Sequence, residues 1–262
     1  MTEEPYRWVE AIANRREYIE HQLAGGSPIA ALSYDRGVLF LTLSRERQKV
    51  FEIYDRIAMG AMGHPGDIER LRMAAIEVAS TEGFTRSTQD VSLRRLASYS
   101  LSPALKSAFE QIYGAPYLAR MIFAELGRGE EERNLFVRLD YDGAMHTNGG
   151  SHLRVFEDFG VISGTQNSTA AMEKFLRMQR HAKADLEQAL EIALDAWTVG
   201  HLALHGEPDG DLPSAETIAA QRAEQLANSA IEAAVLDRAA RGAITYRALD
   251  ESELTAFQRP AL

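Results

Sequence analysis

The residue types able to do chemistry are few and widely separated along the chain. Ser27 stands directly after Gly26, at the head of the first apolar run, where a hydroxyl becomes a nucleophile only with a base beside it. Lys49 ends the run Arg45-Glu46-Arg47-Gln48-Lys49 and immediately precedes the segment VFEIYDR. Charge runs mark solvated faces, and by that rule Lys49 reads as a solvated lysine. His201 and His205 are four apart, a spacing that puts two imidazoles on one helix face. His201 also continues the apolar stripe through Trp197, and no third ligand is suggested. The pair is therefore read as packed or surface histidines, and no metal is expected. Gly25-Gly26 and Gly149-Gly150 lack the spacing of a phosphate-binding fingerprint, so no cofactor is expected. Asn167-Ser168-Thr169 matches a glycosylation sequon, which carries meaning only in a secreted chain. The cluster Glu130-Glu131-Glu132 reads as solvated loop.

The elements that must position these groups follow from patterning. Residues 1–5 read as a flexible polar start, and residues 6–24, with Trp8, Ile12, Ile19 and Leu23 among charges, as an amphipathic helix stopped by Gly25-Gly26. Two β-rich runs, 28–34 and 38–44, flank a turn at Asp35-Arg36-Gly37, and KVFEIYDRI and AMGAMG supply a third and fourth strand. These strands are apolar at nearly every position, the mark of strands covered on both faces. Pro65 and Asp67 start a helix that Gly83 ends. Asp90 is expected to cap a second helix, whose apolar face runs from Leu93 to Ile112, with Pro103 kinking it and Gly114 ending it. Residues 117–126, 134–141 and 155–163 read as strands, and the polar, Gly-rich MHTNGGSHL as a loop. Asn167 or Ser168 is expected to cap a helix to about residue 181; another runs from about residue 184 with Leu186, Leu190 and Trp197 on one face. After a break at 206–213, residues 214–229 read as a thin surface helix. IEAAVLDR and AITYRAL then form a closing hairpin, and ESELTAFQRPAL a poorly ordered tail.

The order Gly-Ser, strand, turn, strand, Lys, strand, AMGAMG, long helix resembles the N-terminal nucleophile hydrolase sandwich of proteasome subunits, most of all the non-catalytic α-type subunit of bacterial proteasomes. Glu17-Tyr18 resembles the end of that family's N-terminal helix. Pro116-Tyr117 with MIFAELG, Arg138-Leu139-Asp140-Tyr141-Asp142-Gly143 and Ile162-Ser163-Gly164 resemble later family motifs. The resemblance spans roughly residues 15–250. It implies an α+β fold, a four-layer α/β/β/α sandwich with an extra N-terminal helix. The division expected is a gate segment and helix at 1–25, a sandwich domain at 26–250 and a C-terminal tail at 251–262.

It also implies roles. Met1, Thr2, Glu3, Glu4, Pro5, Tyr6, Arg7 and Trp8 would form the segment that closes an axial pore. Lys49 would bind the C-terminal carboxylate of an activator tail, usually that of a ring ATPase. The partners implied are six further copies in a heptameric ring, a proteasome β-type subunit and the activator. The chain itself would not be an enzyme. The alternative is a self-processing hydrolase that uses Ser27 after cleavage at Gly26-Ser27, tuned by Lys49; another is a proteasome-like scaffold without a protease partner. Against the hydrolase, Ser27 follows a well-patterned helix, and Leu43 and Ser44 stand where a catalytic subunit places an acid.

Composition bounds the remaining classes. A chain of 262 residues can bury a sizeable core, and 45% hydrophobic with 25% charged residues is ordinary for a globular domain. A net charge of −10 argues against a nucleic-acid partner. No apolar run approaches a membrane span, and the start MTEEPYRWVE has no signal-peptide core, so a cytoplasmic location is expected. The absence of cysteine excludes disulfides, thiol nucleophiles and thiolate metal sites.

Overall fold

The computed structural model describes residues 4–45, 47–111, 113–129, 132–147, 157–179, 181–206 and 210–258. In chain order these form α1 (Glu4–Leu23), β1 (Ile29–Tyr34), β2 (Gly37–Ser44), β3 (Val50–Tyr54), β4 (Ile57–Gly63) and α2 (Pro65–Thr85). Next come a short α3 (Leu93–Arg95), a π-helical turn (Leu96–Leu101) and α4 (Ser102–Glu110), then β5 (Ala119–Glu125), β6 (Leu135–Leu139), β7 (Met145–Thr147) and β8 (Phe159–Ile162). The chain continues through α5 (Gln166–Arg177), α6 (Leu186–Ala203), α7 (Ala215–Asn228), β9 (Ala230–Asp237), β10 (Tyr246–Ala248) and α8 (Glu251–Gln258).

The strands make two five-stranded antiparallel sheets, ordered β10-β9-β2-β1-β8 and β3-β4-β5-β6-β7. The two-residue period of a strand explains why the runs are apolar throughout. In β1, Ile29 and Ala31 turn into the seam between the sheets, where Phe40, Ile122, Phe136 and Ile162 meet them. The alternate residues Ala30 and Leu32 turn outward onto Leu190, Leu194 and Trp197 of α6. On the second sheet, Met59, Met121 and Phe123 carry α2, the π turn and α4. The order of layers is therefore helices, sheet, sheet, helices, which is the expected four-layer α/β/β/α sandwich with α1 added before it.

Several local expectations need correction. Helix α1 begins at Glu4, so Glu4 and Pro5, expected in the flexible start, are helical. Pro5 fits there because a first-turn residue has no intrahelical partner for its N–H anyway. Asp90 caps no long helix. It lies inside a 3₁₀ turn (Thr88–Asp90) headed by Ser87, and the helix it was to start opens with only three residues, Leu93–Arg95. Pro103 does disturb the helical pattern: immediately before it the backbone widens, and Ser102 N–H donates to Ala97 O, five residues back. Residues 145–147, expected as loop, form β7 on the edge of the second sheet, and the remainder of that loop lies outside the described residues. Helix α5 is capped by Thr165, whose hydroxyl accepts from Ser168 N–H, and it ends at Arg177. The expected tail is helical over Glu251–Gln258, because Asp250 accepts from Glu253 N–H and Leu254 is buried against the first sheet's outer core.

Candidate functional site

Ser27 and Lys49 line one cavity of about 850 Å³ at the end of the sandwich. Four junctions build it: the α1–β1 link (Gly25, Gly26, Ser27), the β2–β3 link (Ser44, Arg45, Arg47, Gln48, Lys49), the β4–α2 corner (Met62, Gly63, Ile68, Glu69) and the end of α6 (Trp197, His201, Leu204, His205).

Ser27 is held in place as a structural hydroxyl. Its Oγ donates to Leu43 O at 3.0 Å and accepts from the Trp197 indole N–H at 3.3 Å. Gly26 N–H, one residue earlier, donates to Leu23 O at 2.8 Å, tying the link back onto α1. Neither partner of the hydroxyl is a base, and Leu43 contributes only a main-chain carbonyl where an acid would be needed.

Lys49 is positioned by a residue that the sequence reading passed over. Glu232 on β9 accepts through one oxygen from both Lys49 N–H (2.8 Å) and Val50 N–H (2.7 Å), which pins the head of β3. Its other oxygen is buried with no hydrogen-bond partner. Burial raises the Glu232 pKa, while the two N–H donors and the Lys49 charge pull it down. Burial lowers the Lys49 pKa, and the Glu232 carboxylate opposes that shift. A signal for Glu232 was present: it is the lone acid within the apolar run IEAAVL.

His201 stacks on Trp197, with ring centroids 5.0 Å apart and planes 10° from parallel. Its pKa is lowered by burial and by His205, with Glu224 opposing. Among the described residues, no group of three or more His, Asp or Glu is placed to hold a metal ion.

The helix in front of Ser27 is anchored along its length. Ile19 and Leu23 are fully buried in the seam between the sheets, each worth about 2 kcal/mol of apolar burial. Arg120 on β5, only 4% exposed, pairs with Glu20 of α1 at 3.2 Å and with Asp140 at 3.0 Å, and donates to Ser163 O at 2.7 Å. Tyr141 Oη donates to Glu20 at 2.7 Å, and burial with that contact raises its pKa. Arg16 pairs with Asp142 at 2.9 Å and lies over the Phe109 ring at 5.3 Å. Gly164 passes so close under Ala24 O and Leu23 O that a Cβ there would collide with main chain. Of the expected gate residues, Met1, Thr2 and Glu3 lie outside the described residues, Glu4–Trp8 form the first turns of α1, and Trp8 is exposed.

Two antiparallel sheets between helical layers, with a serine at the head of the first strand, define an N-terminal nucleophile hydrolase sandwich, and here that serine is internal to the chain. A family model described as proteasome subunit matches residues 29–203. An alpha proteasome subunit of Mycobacterium tuberculosis (strain H37Rv) is 30% identical, over 95% of this chain and 90% of its own. Those of Streptomyces griseus and Kineococcus radiotolerans are 30% and 29% identical, over 87% and 71% of this chain and 74% of theirs in each case. The chain belongs to the proteasome subunit family, on the side of the non-catalytic alpha subunits. No helix among the described residues is long and apolar enough to cross a membrane.

Proposed function

We propose that this chain forms the outer, gating ring of a cytoplasmic proteasome core. Seven copies would close the ring, seat a ring of β-type subunits on one face, and receive a ring ATPase or other activator on the other. Residues 1–8 would narrow the axial pore, so that only unfolded chains reach the protease chamber. Lys49 would hold the terminal carboxylate of the activator's tail.

The observation that carries this reading is the pairing of an anchored α1 with the Lys49 cavity directly beneath its C-terminal end. A lysine half-withdrawn from water, in a cavity wide enough for several side chains, suits a peptide carboxylate better than solvent does. The interlocked α1–Ser27 junction weighs against self-processing at Gly26-Ser27, since exposing that amine would strip away a helix whose face is core.

The test is native mass spectrometry of the chain co-expressed with a β-type subunit from the same source, with ejection and weighing of single subunits. Sevenfold rings on a β ring, with every chain retaining residues 1–26, are expected. Subunits that begin at Ser27 would establish the hydrolase instead. Failure to join any β-type subunit would leave the scaffold.

A further inference from the structure

The cavity carries a charge that the chain as a whole does not. Arg45, Arg47, Lys49, His201 and His205 all line it, in a protein of net charge −10. Among the described residues the lining holds one carboxylate, Glu69, and Arg72 binds that group with two hydrogen bonds of 2.8 and 2.7 Å. A basic lining in an acidic protein is complementary to an anion that is not part of the protein. The basic groups are also split between two walls. Lys49 and the arginines come from the β2–β3 link, and the histidines from the end of α6, with the apolar side chains of Met62, Ile68 and Leu204 also in the lining.

We propose that His201 and His205 form a second anion subsite in this cavity, so that the chain takes a peptide C-terminus bearing an acidic residue upstream of its terminal carboxylate. The inference rests on the proposed role of Lys49 and adds to it a selection among tails. The terminal carboxylate goes to Lys49, an apolar residue to the Met62–Leu204 wall, and the upstream acid to the histidines. His201 sits in the last turn of α6, where the helix dipole favours a cation. Its charged form is opposed by burial and by His205, and is favoured by Glu224 of α7. Across the cavity stand Lys49, Arg45 and Arg47 from the β2–β3 link and Glu69 from α2, with Glu232 at the head of β3. A carboxylate brought to the pair draws a proton onto the imidazole. Binding of an acidic tail therefore strengthens as the pH falls through the histidine range, and a coupling of one pK unit corresponds to a factor of about ten.

Fluorescence anisotropy on the full chain tests this, with labelled peptides ending Asp-Leu-Tyr-Leu or Asn-Leu-Tyr-Leu, each as free acid and as C-terminal amide. At about pH 6 the Asp peptide is expected to bind about tenfold tighter than the Asn peptide, with the gap closing near pH 8. The exposed His205→Gln, and His201→Gln with it, should bring the Asp-to-Asn ratio at low pH toward one. Equal binding of the two acids at low pH overturns the histidine subsite, while a preference for acids over amides keeps the Lys49 reading. Loss of that preference overturns the Lys49 reading, and absence of all binding overturns both.

Discussion

At the scale of single residues, two long-range partnerships carry the argument. Lys49 serves the proposed site through its charge, so Lys49→Ala should abolish activator-stimulated peptide hydrolysis by the assembled particle while assembly proceeds. A particle that remains fully stimulated would remove Lys49 from that role. Arg120 serves the scaffold. Replacing it by Met leaves the partly exposed Asp140 and Glu20 carboxylates without their shared cation, a loss of about 2 kcal/mol for charge-assisted hydrogen bonds. Chemical denaturation of the purified chain would read that loss. Ser27 and Lys49 could be picked out from the sequence because each stands at a junction between patterned runs. Glu232 and Arg120 could not, because what makes them matter is a partner 183 or 100 residues away in the chain. Their only local trace is a charge inside an apolar strand.

At the scale of elements, strands were easier to foresee than helix ends. The runs of β1, β2 and β4 are long, apolar and bounded by turn residues, and their paired registers follow directly. Helix ends depend on which of several nearby side chains turns back onto the backbone. Thr165, Asn167 and Ser168 are all chemically able to cap α5, and Thr165 does so because Asn167 donates to Ala203 O and Ser168 Oγ to Gly200 O, both on or beside α6. Thr165→Ala should therefore lower stability by about 1 kcal/mol, visible as a shifted urea midpoint with an unchanged slope. Helix α8 was missed for a related reason: its eight residues hold few apolar positions, and Leu254 gains its partners only from the far side of the first sheet.

At the scale of the whole molecule, the four-layer order was legible because both sheets are apolar on two faces and must be covered twice. The same double burial makes stability depend on pH in a definite direction. His181 is 4% exposed and its Nδ1 donates to Ser33 O at 3.1 Å, near the C-terminal end of β1. Burial lowers its pKa from 6.5, against the pull of the Ser33 carbonyl and Asp158, and partial burial likewise lowers that of His201. In the window between the depressed folded value and 6.5 the unfolded chain binds more protons than the folded one. Stability from these groups is therefore complete above that window and is lost as the pH falls through it. Glu125, Glu232 and Asp195 act in the opposite sense, because burial raises their pKa values and the folded state takes up protons first. Their windows start from unfolded values of 4.5 for the glutamates and 3.8 for the aspartate. In calorimetry the histidine contribution appears as an unfolding temperature that falls as the pH drops through 6.5. His181→Gln keeps a donor for Ser33 O and should make that fall shallower, whereas an unchanged slope would remove His181 from the acid response.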